Sequence, residues 1–257
     1  MNKLNNILQQ LDPISLKEMD RVKLQNRTDT KFVFEADLLP IILNEIKDFY
    51  SILEIKKNRT NSYKTLYYDT KELKSYIQHH NGKANRTKIR FRKYIESDLN
   101  FLEVKFKNNK GRTIKARKKI SDIETTLSDI SKDFINNNST YKSDEIIPVL
   151  WNSFTRLTLV HKTKTERLTI DLNLGFKSYL NDVEKEIPHI IIAEVKQEKA
   201  SNNSDFIQVI KKHHVRKSSM SKYCVGSALL NKDLKQNNFK ERILKINKLK
   251  NVKRITA

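Results

Sequence analysis

Charged and apolar residues alternate at every second position along several segments of this chain. In Lys88-Ile89-Arg90-Phe91-Arg92 the cations share one parity and the apolar side chains share the other. A β-strand sends these two sets to opposite faces. The same alternation recurs in segments 27–32, 103–107, 115–117 and 194–196. The pattern predicts a sheet that carries one strongly cationic face.

Further periodic segments predict the other elements of the fold. Strand-like composition marks segments 63–69, 87–94, 100–107, 113–120, 154–161, 166–174 and 190–197. Helical spacing marks segments 1–20, 37–49, 73–79 and 205–212. The polar interval 121–143 predicts a helix and a mobile Asn-rich loop at 136–138.

The apolar side chains of these strands must pack against other elements, whereas the charged side chains must stay in contact with water. Helices outside and cations inside satisfy both requirements. We therefore predict an α+β fold, with a closed antiparallel β-barrel of about eight strands and helices packed outside it. The predicted boundaries are an N-terminal helical segment at 1–20, the barrel at 21–230 and a basic C-terminal tail at 231–257. For the tail the pattern leaves open an amphipathic helix or a disordered end.

Composition narrows the class of partner and the compartment. The net charge of +21 arises from 51 basic and 30 acidic residues among 257, and it favours nucleic acid, anionic lipid or phosphorylated molecules. Cys224 is the only cysteine, so intrachain disulfides and multi-cysteine metal sites are excluded. No apolar run approaches the ~20 residues of a membrane span, and the N-terminus lacks a signal-peptide pattern. A cytoplasmic protein is expected.

The order of seven segments resembles the catalytic domain of the vacuolar transporter chaperone (VTC) family. These segments are RTDTKF at 27–32, LYYDT at 66–70, KIRFR at 88–92, FLEVK at 101–105, IKAR at 114–117, EVK at 194–196 and SKY at 221–223. The resemblance covers roughly residues 20–230. That family makes inorganic polyphosphate from ATP and belongs to the triphosphate tunnel metalloenzymes, the CYTH-like superfamily. The resemblance therefore implies a metal-dependent polyphosphate polymerase.

The resemblance also implies roles for individual residues. Catalytic and phosphate-binding roles fall on Lys31, Arg90, Arg92, Lys105, Lys115, Arg156 and Arg167. Phosphate binding alone falls on Arg117, Lys196 and Lys222, and the metal ligand is Glu194, with Mn²⁺ or Mg²⁺ as the ion. These residue types suit phosphate and metal binding. Arginine contacts phosphate oxygens through its planar guanidinium, lysine acts as a point charge, and a hard cation prefers carboxylate oxygen.

One segment departs from the wider superfamily. Tunnel hydrolases and cyclases usually begin with a Glu-x-Glu-x-Lys strand, and here Arg27, Asp29 and Lys31 occupy those positions. This exchange favours the polymerase branch and leaves the metal mainly on Glu194. Asp29, like Glu103 and Asp171, could either contact a metal or pair with a neighbouring cation.

Three functions remain open at this stage. The first transfers the γ-phosphate of ATP to a growing polyphosphate chain, with ATP and inorganic polyphosphate as partners. The second is a triphosphatase that hydrolyses tripolyphosphate or nucleoside triphosphates in the same site. The third is a non-catalytic polyphosphate- or nucleic-acid-binding protein. Specific nucleic-acid binding is not expected, because Tyr and Phe lie mainly at apolar parities. A membrane-protein partner and a peripheral place at the inner face of the membrane are left open.

Overall fold

The alternating segments form the strands of one large sheet. The computed structural model describes residues 2–19, 27–199 and 201–250. The strands are β1 (Asp12–Ile14), β2 (Thr28–Glu35), β3 (Tyr50–Leu53), β4 (Asn61–Thr70), β5 (Arg86–Tyr94), β6 (Leu99–Lys107), β7 (Thr113–Ile120), β8 (Ile146–His161), β9 (Glu166–Ser178), β10 (Glu184–Ile187) and β11 (Ile190–Gln197). The helices are α1 (Asn2–Gln9), α2 (Leu16–Met19), α3 (Leu39–Ile46), α4 (Lys74–His80), α5 (Asp129–Asn138), α6 (Asp205–Lys212), α7 (Lys222–Leu230) and α8 (Lys240–Lys250). The α+β class is confirmed.

The strands follow the order β2-β11-β9-β8-β4-β5-β6-β7, and each neighbouring pair is antiparallel. Strand β10 adds to β9 and β3 adds to β8, while β1 runs parallel to β3. Within the described chain the end strands β2 and β7 do not pair, so the prediction of a closed barrel is wrong in its hydrogen bonding. A loop takes the place of a partner at β2, where the Ser218 amide donates to the Lys31 carbonyl over 2.8 Å.

The register brings the polar parity of every strand in this path to one side of the sheet. Lys31 lies opposite Glu194, Arg156 opposite Asp171, and Arg90 opposite Glu103. We call this side the cationic face. Its ionisable members include Asp29, Lys31, Lys88, Arg90, Arg92, Glu103, Lys105, Lys115, Arg117, Arg156, Arg167, Asp171, Glu194 and Lys196. The predicted two-residue alternation is thus continuous across eight strands.

Helices cover the opposite, apolar side of the sheet. Helices α1, α3 and α6 pack over β2, β8, β9 and β11, and α5 packs over β5 and β6. Helix α3 begins with proline in its first turn and buries Leu39, Ile42, Leu43 and Ile46. The predicted loop at 136–138 is wrong, because these asparagines form the last turn of α5, which Ser128 caps through the Ser131 amide.

Helices α7 and α8 pack instead on the cationic face, at one end of it. Val33 and Ile192 share the parity of Lys31 and Glu194, and both join the apolar cluster of α7 and α8. Gly226 permits the close approach of α7, since a Cβ there would lie 2.4 Å from the Phe176 ring. Residues 240–250 form a helix with Ile246 buried. The prediction that all helices lie outside therefore fails for these two.

One strand also departs from the sequence expectations. Strand β8 begins at Ile146 and not at residue 154, because the sheet accepts Pro148 and a bulge between Ser153 and Thr155. Cys224, on α7, is fully buried. Among the described residues, none of the helices has both the length and the apolar character that a membrane crossing requires.

Candidate functional site

The charged side chains of the cationic face are largely removed from solvent. Arg90 retains 11% of its side-chain exposure, Asp171 retains 4% and Glu103 none. Charged residues are seldom buried unless they are paired. Their burial means that the charges of this face must be compensated by partners within the protein.

Glu103 compensates two of the cations. Its Oε2 lies 2.6 Å from Nη2 of Arg90 and 2.7 Å from Nε, and its Oε1 pairs with Nζ of Lys115. Burial alone would raise the pKa of Glu103, but the surrounding cations, Arg90 above all, hold it well below the usual range. Of the two sequence-based alternatives for Glu103, the structure shows the salt bridge.

Asp171 joins a second pair of cations. Arg156 donates from Nε to Oδ1 over 2.5 Å and from Nη2 to Oδ2 over 2.8 Å, and Lys222 pairs with Oδ2. Burial opposes the ionisation of Asp171, yet Arg156 and Lys222 keep its pKa far below the usual value. Lys222 begins α7, whose Ser221 cap also accepts a hydrogen bond from Lys88 over 2.8 Å. The position of α7 thus fixes two cations of the site.

Glu194 forms salt bridges with a third pair of cations, Lys31 and Lys196. Its Oε1 lies 2.9 Å from Nζ of Lys31, and its Oε2 lies 3.1 Å from Nζ of Lys196. Asp29 hydrogen-bonds to Glu194, and burial together with the charge of Glu194 raises the pKa of Asp29. Asp29 also pairs with Arg27 over 3.0 Å. Burial lowers the pKa of Lys196 to about 8.

Arg92 and the half-buried Lys105 form no ion pair with a carboxylate among the described residues, and neither does Lys88, which donates to the Ser221 hydroxyl. Arg92 is 6% exposed, and its Nε donates to the Thr65 hydroxyl over 3.2 Å. Lys105 lies on β6 opposite Lys115, and the charge of Arg90, with burial, holds its pKa well below the usual range. A buried charge without a counterion is unfavourable. Arg92 and Lys105 therefore mark where an anionic ligand would gain most.

Aromatic rings also lie on the cationic face, which sequence reasoning did not anticipate. Tyr63 and Phe154 stack with centroids 4.9 Å apart and planes 8° apart. Arg92 and Arg156 lie within 5.6 Å of both rings, and Lys222 lies 4.6 Å from Phe154. Cation–π contact with these rings holds Arg92, which has no carboxylate partner among the described residues, and adds to the Asp171 ion pairs of Arg156 and Lys222. Tyr63 has the same parity as Thr65, on a strand that pairs with β5. This shared parity was the sequence signal that could have placed the Tyr63 ring on the cationic face.

The remaining predicted residues lie on the same face in different settings. Arg167 is half-buried opposite Lys196, and Arg117 is exposed on β7 over the ring of Phe101. Every predicted phosphate-binding residue therefore lies on the cationic face or, for Lys222, on the helix against it. Tyr67 was missed: burial opposes its ionisation, but Arg90, Arg92 and Lys222 lower its pKa overall, and its hydroxyl hydrogen-bonds Arg90.

The donor set at Glu194 fits a divalent ion only in part. The described residues contain no group of three or more His, Cys, Asp or Glu side chains placed to hold a metal. Glu194 and Asp29 together offer two hard carboxyl groups. Mg²⁺ is commonly bound by one or two carboxylates together with substrate phosphates. The pair therefore suits an ion that arrives with a phosphate ligand and not one held by the protein alone.

Comparison with known proteins gives one strong match. The family model described as the VTC domain matches residues 26–231. No curated protein sequence matches the chain. Solved structures with a similar fold include a candidate adenylate cyclase from Vibrio parahaemolyticus, with 12% identity, a TM-score of 0.48 and coverage of 79% of this chain and 99% of that one. A candidate adenylyl cyclase from Hippeastrum, described as having a dominant triphosphatase activity, has 13% identity, a TM-score of 0.46 and coverage of 78% and 94%.

Proposed function

Because the chain belongs to the VTC domain family, we propose that it is a metal-dependent polyphosphate polymerase. The substrates are ATP and the end of an inorganic polyphosphate chain. A terminal oxygen of the chain attacks the γ-phosphorus of ATP, the bond from that phosphorus to the β–γ bridging oxygen breaks, and ADP leaves. Phosphoryl transfer of this kind depends mainly on positioning and on stabilisation of developing charge.

The buried cations supply that stabilisation. Arg92 and Lys105, which form no ion pair with a carboxylate among the described residues, contact the phosphates of the bound triphosphate. The cations that flank them contact the adjacent phosphates: Lys31, Arg90, Lys115, Arg156, Arg167, Lys196 and Lys222. Each hydrogen bond to a charged group contributes about 1.5–3 kcal/mol, so several together hold a triphosphate firmly. Mn²⁺ or Mg²⁺, held by Glu194 with Asp29, would neutralise phosphate oxygens when bound.

One observation carries the choice of polymerase over hydrolase. Asp29, Glu103, Asp171 and Glu194, the carboxylates that lie among these cations in the described part of the chain, are each ion-paired. Hydrolysis benefits from a base that takes a proton from water. The terminal oxygen of a polyphosphate chain is already anionic and needs no base. A face whose carboxylates are engaged by cations therefore favours a phosphate nucleophile.

The test is the product formed from ATP, Mn²⁺ and a short polyphosphate primer. We expect a ladder of longer chains with one ADP per added phosphate. Arg92→Gln should slow synthesis at least about tenfold through the loss of one charge-assisted contact. Lys93→Gln is the matched control, because this neighbour is on the other parity and pairs at the surface with Asp122. Free phosphate without chain growth would identify a triphosphatase, and tight tripolyphosphate binding without turnover would identify a passive binder.

The cellular setting stays a prediction. The expected cytoplasmic location rests on the cysteine content and on the sequence patterns, whereas a place at the inner face of the membrane and a membrane-protein partner rest on the family resemblance. Co-sedimentation of the protein with membranes before and after a salt wash would test the peripheral location. Retention that salt does not reverse would argue against a purely electrostatic attachment.

A further inference from the structure

The end of the cationic face at β6 and β7 carries a ring that the phosphate chemistry does not use. Phe101 lies directly opposite Arg92 in the register of β5 and β6. It is half-buried, and its ring meets Tyr94 edge-on with centroids 5.8 Å apart. The guanidinium of Arg117 lies 5.0 Å from the ring centroid. An aromatic face and a guanidinium plane thus lie beside the phosphate-binding cations.

Arg117 differs from the other cations of this face in its setting. Its side chain is exposed, and among the described residues it has no carboxylate partner. Arg90 and Arg156 are instead fixed in buried ion pairs. Strand β7 ends the sheet, so its outer edge has no neighbouring strand among the described residues. The Phe101–Arg117 pair is therefore open to a planar ligand that reaches the site from this edge.

We propose that Phe101 and Arg117 form a nucleobase subsite, which lets the protein bind a nucleoside triphosphate more tightly than inorganic tripolyphosphate. This inference rests on the proposed function, because it assumes that the triphosphate lies against Arg92 and its neighbours. A nucleotide carries its base one sugar away from its α-phosphate, so an α-phosphate at Arg92 brings the base to Phe101, the cross-strand neighbour of Arg92. Bases stack on aromatic rings and on arginine planes.

The subsite favours a base in general and not one particular base. Stacking uses the π-face that all bases share, and substitution of a stacking ring by alanine costs about 1–3 kcal/mol per base. The larger purine ring system covers more of the Phe101 ring and the guanidinium. We therefore expect ATP and GTP to bind more tightly than CTP and UTP, and all four to bind more tightly than tripolyphosphate.

The experiment compares two ligands on one set of variants. Dissociation constants for ATP and for tripolyphosphate are measured by calorimetry in EDTA, where no turnover occurs. Arg117→Gln and Phe101→Leu should each weaken ATP binding about tenfold and change tripolyphosphate binding less than about twofold. Phe101→Trp should keep the preference for ATP. Lys118→Gln removes a cation from the same strand at the opposite parity and should leave the ratio of the two constants unchanged.

The outcomes separate this inference from the proposed function. Equal weakening of both ligands by Arg117→Gln would mean that Arg117 contacts phosphate, and it would overturn the base subsite. If neither Phe101→Leu nor Arg117→Gln changed the ratio of the ATP and tripolyphosphate dissociation constants, the base subsite would also be overturned. The phosphate-binding site would not be affected by that result. If the parent protein bound neither ligand, the proposed function itself would fail. Arg117 is exposed, so its variant tests the subsite even if Phe101→Leu disturbs folding.

Discussion

Arg156 and Asp171 form a two-point ion pair, with Nε to Oδ1 at 2.5 Å and Nη2 to Oδ2 at 2.8 Å. The same carboxylate also holds Lys222, so one anion fixes a strand cation and a helix cation together. Two-point pairing fixes both the position and the orientation of the guanidinium plane. The carboxylate therefore organises the site before any phosphate arrives.

The first prediction concerns Asp171→Asn. Removing one partner of a buried ion pair leaves the other charges uncompensated and costs about 3–5 kcal/mol of unfolding free energy. We expect that loss in urea denaturation of the ligand-free protein. Added tripolyphosphate should then raise the melting temperature of the variant more than that of the parent, because the ligand replaces the missing anion. Asp122→Asn, at an exposed pair with Lys93, is the control and should change stability by less than about 1 kcal/mol.

The second prediction concerns proton uptake at Lys105. The charge of Arg90 and burial hold its pKa well below the usual range, so both disfavour the protonated form of the ligand-free side chain. A bound polyanion favours the charged form and draws a proton from the buffer. The binding enthalpy of tripolyphosphate should therefore differ between Tris and HEPES. Lys105→Met should remove most of that difference, whereas Lys107→Met, at an exposed position of the same strand, should keep it. Identical enthalpies in both buffers for the parent would contradict this assignment.

The third prediction is a pH dependence set by Lys196. Burial lowers its pKa to about 8, and the anionic ligand binds the protonated form. As pH rises through about 8 the charge is lost, so tripolyphosphate affinity should fall between pH 7 and 9. Lys196→Arg keeps its charge across this range and should flatten the profile. Parallel profiles for parent and variant would assign the titration to another group.

The fourth prediction tests how α7 positions Lys222. A Cβ on Gly226 would lie 2.4 Å from the Phe176 ring, so Gly226→Ala forces α7 away from the sheet. Overpacking of this kind costs about 1–3 kcal/mol. Melting temperature and tripolyphosphate affinity should both fall. Ser227→Ala, at the next and half-buried position, should leave the affinity unchanged, and a Gly226→Ala protein with parental affinity would show that Lys222 does not depend on this contact.

Much of this arrangement could be predicted from the sequence. The two-residue alternation around Arg90 and Glu194 identified the cationic face, because side-chain parity is a local property of a strand. Closure of the barrel could not be predicted, because it depends on whether β2 and β7 meet, and no local pattern reports that. The short strands β1, β3 and β10 carry too few residues for a period to show.

The ion pairs were the least predictable part of the site. Glu103 and Asp171 have the sequence context of either a metal ligand or a salt bridge, and only the cross-strand register distinguishes the two. The position of α7 was also hidden, since its sequence KYCVGSALL lacks one clear apolar stripe. That absence has a physical reason, because α7 is enclosed by the sheet and by α4 and α8.

The carboxylates of the cationic face affect how the affinity for a polyanion depends on salt concentration. An open basic surface gathers counterions from solution, and a polyanion that binds there releases them, which makes affinity fall steeply with ionic strength. Here Glu103, Asp171 and Glu194 already serve as covalently attached counterions. They cannot diffuse away when the ligand arrives, so little entropy is gained from ion release. The site should therefore still bind a phosphate chain at salt concentrations that dissociate nucleic acid from an ordinary basic surface.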